Sequence, residues 1–134
     1  MITNRSNAKR RGQSVVEFAL VLPVLLLLVM GIIEFGRIFM AQQSITNASR
    51  EGARTGVLPS STSSDVQNTV TSYMASAGLD DTCTVTMTNV GPTVSSGSPT
   101  SVTVQYTLPI LTGSIIPGLG SSMTLSHTTV MRHE

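Results

Sequence analysis

The hydrophobic pattern of the chain begins with a long uninterrupted run. From Phe18 to Ile33, sixteen residues follow one another without a charge or a hydrogen-bonding side chain. Together with Val15 and Val16, this run approaches the roughly 20 apolar residues that a membrane-spanning helix needs. We therefore predict a short single-pass helix over about residues 15–35, in which Pro23 is tolerated and introduces a kink.

The helical periodicity continues beyond this run, but there it becomes two-faced. Apolar or small residues recur at spacings of three and four along one stripe, whereas the opposite face is polar. The stripe consists of Ile38, Ala41, Ile45, Ala48 and Gly52. Gly56 followed by Pro59 is typical of a helix end. We therefore predict one helix over residues 13–56, membrane-spanning at first and amphipathic over 36–56.

Residues 57–134 carry the pattern of a small extracytoplasmic domain. Ser64 and Gln67 have the spacing of a capping box, which predicts the start of a second helix. The apolar stripe of that helix consists of Val66, Val70, Tyr73, Met74 and Ala77. Period-two alternation predicts antiparallel strands near residues 83–87, 102–108 and 123–131. The predicted fold class is α+β, a long N-terminal helix plus a second helix packed on a three-stranded antiparallel sheet.

The segment 109–122, between the last two predicted strands, is unusually apolar for a connection. Its large apolar residues are Ile110, Leu111, Ile115, Ile116 and Leu119. We expect this loop to fold over the open end of the sheet. The alternative is a contact with a neighbouring subunit, because exposed apolar patches often mark interfaces.

Charge is distributed unevenly along the chain. Four of the eight basic residues lie in a leader, residues 1–12, that contains no acidic residue. They are Arg5, Lys9, Arg10 and Arg11. Positive charge beside an apolar helix favours a cytoplasmic N-terminus. No aromatic residues accompany the basic cluster, so we expect no binding to nucleic acid.

A cleaved secretory signal peptide is the competing interpretation of the basic leader and apolar run. Such a peptide needs small residues at the cleavage site that follows its apolar part. Here the run passes through Gly31 directly into Glu34-Phe35-Gly36-Arg37, and the helical pattern continues. Retention of the apolar helix is therefore favoured, whereas a cut at Gly12 would remove only the leader.

No group of residues in the sequence is typical of an active site, a cofactor site or a metal site. Cys83 is the single cysteine and lies in an alternating segment, so we expect a buried thiol without a disulfide partner. His127 is expected to be a partly buried strand residue, because no metal ligands accompany it. The serines lack a recognisable histidine partner. We therefore expect no enzymatic activity and no cofactor.

Two polar groups lie on the predicted long helix. Glu34 and Arg37 are three residues apart and can pair near the outer edge of the membrane. On the amphipathic part, Glu51 can pair with Arg54 in the same way, beside Arg50. Such pairs either contribute only tenths of a kcal/mol on a solvated face or set the register between parallel helices of neighbouring subunits.

Several strings follow one another in a fixed order. They are Arg11-Gly12-Gln13-Ser14-Val15-Val16-Glu17-Phe18-Ala19-Leu20, Leu22-Pro23, Gly31, Glu34-Phe35-Gly36-Arg37 and Ala48-Ser49-Arg50-Glu51-Gly52-Ala53-Arg54. This order resembles the TadE-like family, membrane-anchored minor pilins or pseudopilins of bacterial tight-adherence (Tad, Flp-type) secretion systems. The resemblance covers about a third of the chain. Without an extended extracellular domain, the chain is similar to the short TadE type rather than to TadG.

The resemblance implies a pilin-like subunit of a Tad-type adhesive pilus, which belongs to the type IV pili. It implies that a prepilin peptidase cuts between Gly12 and Gln13. Glu17, followed by Phe18, then becomes the fifth residue, and its carboxylate meets the N-terminal amine of an adjacent subunit. Unpaired charges in an apolar helix bundle are costly, so this pairing selects the axial register.

The resemblance also implies the partners and the location. The partners are the prepilin peptidase, other pilin or pseudopilin subunits, Tad inner-membrane assembly proteins and the lipid bilayer. The location is the bacterial inner membrane, with the N-terminus in the cytoplasm, and the surface pilus after assembly.

A different class of function is compatible with the same residues. A single-pass envelope binding or scaffold protein, neither cleaved nor polymerised, would use its Thr-rich sheet to engage a carbohydrate or another envelope protein. The two hypotheses differ in the N-terminus of the mature chain, which is Gln13 for a processed pilin and Met1 or Ile2 for a permanent anchor.

Overall fold

Two helices and a three-stranded sheet make up the fold. The computed structural model describes residues 6–79, 83–114 and 120–133, with side chains described for all of these except 6–12 and 114. The elements are α1 (Ser6–Gly56), α2 (Ser63–Ser76), β1 (Cys83–Thr88), β2 (Pro99–Pro109), a 3-10 turn (Thr112–Ser114) and β3 (Ser122–Arg132). The predicted α+β class is confirmed.

Helix α1 is one continuous element of 51 residues that includes Pro23. At 1.5 Å per residue it is about 75 Å long. It begins at Ser6, before the predicted start at residue 13, because the leader contains the good helix formers Ala, Lys and Arg. It ends at Gly56, as the following Pro59 predicts.

The second half of α1 forms the centre of the domain. The predicted stripe is confirmed, because Ala41, Ile45 and Ala48 have no exposed surface and Ile38 packs partly buried against them. This half of α1 contacts β2, β3 and α2. The helix that carries the long apolar run therefore also supplies the cover of the sheet.

Helix α2 begins at a capping box that differs from the predicted one. Thr62 is the N-cap residue: its side chain accepts a hydrogen bond from the Asp65 N–H, and Asp65 Oδ2 accepts one from the Thr62 N–H at 2.8 Å. Hydrogen bonds from the side chain and backbone of Thr62 lower the pKa of the exposed Asp65. The prediction from Ser64 and Gln67 is wrong because Thr62 and Asp65 offer the same spacing two residues earlier.

The predicted apolar stripe of α2 is confirmed except at Tyr73. Val66, Val70 and Met74 are fully buried, but Tyr73 is 37% exposed. Neighbouring helix positions point about 100° apart, so Tyr73 turns outward when Met74 faces the core. The helix ends at Ser76, and Gly78 shortly after it has a φ of 71°, the left-handed conformation that glycine adopts easily.

The sheet has the order β1-β2-β3 with both pairs antiparallel. The central strand β2 buries four alternating side chains against α1, as predicted. They are Val102, Val104, Tyr106 and Leu108. On β3, Leu125 is buried and His127 is partly buried, as predicted, whereas Met123 is 43% exposed at the beginning of this edge strand and lies outside the core. The outward face is rich in Thr and Ser.

Gly52 occupies the point where α1, α2 and β2 come closest. A Cβ atom at this position would lie 2.5 Å from Val70 Cγ2 and 3.2 Å from Val102 Cγ1. Both valines are fully buried, and their short branched side chains have little freedom to move aside. Because Gly52 has no side chain, α2 and β2 can both pack closely against α1 at this position.

We predict that Gly52→Ala destabilises the domain by about 1–2 kcal/mol, since overpacking costs about 1–3 kcal/mol and alanine regains up to about 1 kcal/mol in helix propensity. Gly36→Ala is the matched control, because a Cβ there has no neighbour within 4 Å. Denaturant unfolding followed by circular dichroism measures both variants. Equal stability of the Gly52→Ala and Gly36→Ala proteins would contradict the close packing described here.

Candidate functional site

The first part of α1 is exposed on all sides in the described part of the chain. From residue 13 to residue 33 every side chain is exposed except Met30, which is half-buried. The most apolar 18-residue window of this helix has a mean hydropathy of 2.8, and none of it is buried. Large apolar side chains around a whole helix require apolar surroundings. This segment suggests a single-pass membrane anchor.

The predicted processing and pairing residues lie at the beginning of this exposed helix. The Gln13 side chain donates from Nε2 to Glu17 Oε1 at 3.2 Å, one helical turn along. Phe18, next to Glu17, is exposed. Gly12 lies within the same helix, whereas Arg5 and the side chains of residues 6–12 fall outside the described part. The cleavage between Gly12 and Gln13 and the role of Glu17 stay predictions.

Glu34 is a buried carboxylate at the end of the apolar segment, with 6% of its surface exposed. Its Oε1 accepts a hydrogen bond from Arg37 Nη1 at 3.2 Å, as the spacing predicts. Its Oε2 accepts the backbone N–H of Leu111 at 3.0 Å and that of Thr112 at 3.4 Å. A buried charge needs such donors, because it has lost its water. Glu34 therefore holds the loop after β2 against α1.

The loop between β2 and β3 is also closed at its base. Arg37 Nη1 donates to the carbonyl oxygen of Pro109 at 3.4 Å, and the Ile110 N–H donates to Ser121 O at 3.0 Å. A Cβ atom on Gly113 would overlap the carbonyl oxygen of Gly120. Both ends of the loop thus meet beside α1. The apolar residues Ile115, Ile116 and Leu119 lie outside the described residues.

A second polar contact joins α1 to the sheet and was missed in the sequence. Ser49 is fully buried, and its Oγ lies 2.8 Å from His127 Nδ1 and 2.8 Å from Thr129 Oγ1. The same oxygen donates to Thr46 O at 2.9 Å. No recognisable sequence pattern pairs Ser49 with His127, which lies 78 positions away. The available signal was the inward position of His127 and Thr129, which share one face of β3 with Leu125 and Met131.

The three partners of Ser49 fix the direction of each hydrogen bond. Ser49 has a single hydroxyl proton, and a carbonyl oxygen such as that of Thr46 can only accept it. His127 Nδ1 and the Thr129 hydroxyl then both donate to the two lone pairs of Ser49 Oγ. All three contacts are satisfied when His127 carries its proton on Nδ1. Because Ser49 is fully buried, this serine–histidine contact offers no access to a substrate.

The remaining predicted polar residues of α1 lie on its outer face. Arg50, Glu51 and Arg54 are exposed, and within the described part of the chain Glu51 and Arg54 form no ion pair with each other. A pair on a solvated helix face is weak, so its absence costs little.

The residues that could take part in redox or metal chemistry form no site in the described part of the chain. Cys83 is a half-buried free thiol at the start of β1, and its burial raises the pKa of the thiol. The described residues contain no group of three or more His, Cys, Asp or Glu side chains that could hold a metal ion.

The comparison with protein families matches most of α1, including Gly12, Glu17, Glu34 and Ser49. The family described as TadE-like protein matches residues 12–54, which is about a third of the chain. The resemblance to the TadE-like family is thereby confirmed for this segment. No curated protein and no solved structure gives a significant match. A TadE-like segment that includes an exposed apolar helix is typical of a pilin-like protein related to the Tad pilus.

We predict that Ser49→Ala destabilises the domain by about 1–3 kcal/mol, because it leaves the His127 Nδ1–H and the Thr129 hydroxyl without an acceptor. The matched control is Ser44→Ala, which removes only a bond to Met40 O on the same helix and should change stability by less than about 0.5 kcal/mol. Thermal unfolding of both variants provides the measurement. If the Ser49→Ala and Ser44→Ala proteins unfold at the same temperature, the buried contact contributes nothing to the stability of the fold.

Proposed function

We propose that the chain is a structural or assembly subunit, a minor pilin or pseudopilin, of a Tad-type adhesive pilus. In this proposal α1 is first the membrane anchor and later the packing spine of the subunit in a filament. The observation that carries the proposal is the exposed apolar half of α1 inside the TadE-like segment 12–54. Such a helix needs apolar neighbours both before and after it leaves the bilayer.

The proposed processing step changes the charge at the foot of this helix. A prepilin peptidase that hydrolyses the bond between Gly12 and Gln13 removes the four basic residues of the leader and creates an amine on Gln13. Positive charge resists transfer into an apolar environment, so its removal lowers the cost of extracting the helix. The N-terminal end of the helix then carries one new cation at residue 13 and one carboxylate at Glu17.

The geometry of Glu17 fits a pairing between two subunits. The side-chain amide of Gln13 donates to Glu17 Oε1 at 3.2 Å, which leaves the second oxygen available for an ammonium group from a neighbouring chain. A carboxylate and an ammonium that are packed among apolar helices are stable only when they are paired. The axial register of two subunits is then the one that brings amine and carboxylate together.

We infer a structural role for the extracytoplasmic domain rather than a catalytic one. Its serine–histidine contact is buried in the helix–sheet junction and is satisfied internally. In this proposal the partners of the chain are other pilin or pseudopilin subunits and the inner-membrane assembly proteins of the Tad system. The chain lies in the inner membrane with its N-terminus in the cytoplasm.

We predict that the mature chain purified from cells with the Tad machinery begins at Gln13, and that Gly12→Ala reduces this processing. Intact-mass spectrometry reads the N-terminus directly. Gly31→Ala serves as the control, since this glycine lies in the same helix and has no neighbour within 4 Å of an added Cβ. A mature chain that begins at Met1 or Ile2 would instead support a permanently anchored envelope binding or scaffold protein.

We also predict that Glu17→Ala leaves leader removal or pilus assembly defective, because the amine of a neighbouring subunit then has no carboxylate partner. Counts of surface pili by electron microscopy and immunoblots of leader removal provide the readout. Glu51→Ala is the control, an exposed carboxylate on the same helix but in the domain half. Wild-type processing and pilus numbers in Glu17→Ala cells would refute the pairing.

A further inference from the structure

Apolar exposure on α1 continues past the apolar run itself. Three large side chains on the next two turns of the helix, and one on the adjoining loop, are between 46% and 71% exposed. They are Phe35, Phe39, Met40 and Leu111, and together we call them the collar. They lie beyond Ile33 and beside the Glu34–Arg37 ion pair.

The collar extends over more than one side of the helix. Successive side chains of an α-helix point about 100° apart, so Phe35 and Met40 diverge by about 140°. Glu34 points in a third direction, toward the loop, where Leu111 is held by its backbone N–H. A groove for one neighbouring helix would be one-sided, whereas apolar side chains that point in several directions within about 10 Å along the axis fit a planar layer around the helix.

The height of the collar matches the interfacial layer of a bilayer. Residues 15–33 span about 28 Å at 1.5 Å per residue, close to the roughly 30 Å of the hydrocarbon core. Residues 34–40 add about 10 Å, comparable to the depth at which interfacial apolar side chains insert. Polar exposure resumes one turn later with Gln43 and Asn47.

The charged groups at this height are neutralised internally. Glu34 is almost completely buried and receives hydrogen bonds from Arg37 and two backbone N–H groups. Arg37 also donates to Pro109 O. A carboxylate that would otherwise be costly near lipid is thereby removed from the surface of the collar. The same bonds hold Leu111 at the level of the helix where the exposed phenylalanines lie.

We propose that the collar rests in the interfacial layer of the lipid bilayer and seats the extracytoplasmic domain directly on the membrane surface. The partner is phospholipid, and the argument rests on the continuity of the collar with the membrane anchor. The domain is thus attached at two points, through α1 and through the loop that Glu34 holds. The proposal does not depend on leader cleavage, so it can be tested with the uncleaved full-length chain.

The experiment places single fluorescent probes in the full-length chain with Cys83→Ala, reconstituted into phospholipid vesicles. Phe39→Cys and Leu111→Cys carry the environment-sensitive NBD probe in the collar, and Gln67→Cys carries it on the exposed face of α2 as the control. Lipids with a nitroxide at the headgroup level or deep in the acyl chain quench the probe according to its depth. Circular dichroism verifies that each variant retains the secondary structure of the parent chain.

The proposal expects several-fold stronger quenching at residues 39 and 111 than at residue 67, with the shallow nitroxide more effective than the deep one. Quenching at residue 111 as weak as at residue 67 would overturn it, because the loop would then lie in water. A second result would also overturn the proposal. In it, the collar probes are not quenched by the lipid nitroxides but are protected from iodide in the water, and this protection increases with the density of protein in the vesicles. That result would assign the collar to a second copy of the chain.

Discussion

The fold depends on the close packing of one narrow helix stripe against two elements at once. Along this stripe α1 presents mostly small residues, including Ala41, Ala48 and Gly52, so that β2 and α2 approach its backbone closely. The larger Ile45 on the same stripe is fully buried in the core. Because the same helix continues into the apolar run, the domain core and the apolar segment belong to one continuous element. Any contact that sets the position of α1 therefore also sets the position of the domain.

Two polar contacts give this packing its orientation. Apolar burial is non-directional and would tolerate small shifts of a helix along a sheet. Hydrogen bonds of Glu34 to the loop and of Ser49 to β3 are directional and lie about four turns apart on α1. Together they define both the rotation and the height of α1 relative to the sheet. The buried polar groups thus supply geometric specificity to a core made largely of small side chains.

Local periodicity was sufficient to predict the elements but not the contacts between them. The uninterrupted apolar run, the stripe around Ile45 and the alternation on β2 follow the periods of helix and strand, and these predictions are confirmed. The start of α2 was misplaced because two capping spacings overlap, at Thr62 and at Ser64. Choosing between them requires the turn that precedes the helix, where Ser61 already bonds to Leu58 O.

The candidate site was predictable to a similar extent. The pair of Glu34 and Arg37 follows from a spacing of three, but the capture of two loop N–H groups joins residues 77 and 78 positions apart. The contact between Ser49 and His127 likewise spans 78 positions. Such contacts depend on how the loop after β2 and the strand β3 lie against α1, which no local pattern specifies. An inward-facing histidine on an alternating strand was the one visible sign of it.

The continuity of α1 through Pro23 to Gly56 has a mechanical consequence. A pull along the axis on the N-terminal end cannot peel the domain open one residue at a time. It loads the contacts of Ala41, Ile45 and Ala48 in shear, together with the ties at Glu34 and Ser49. Because these attachments share the force in parallel, the design favours transmission of tension from one end of the molecule to the other.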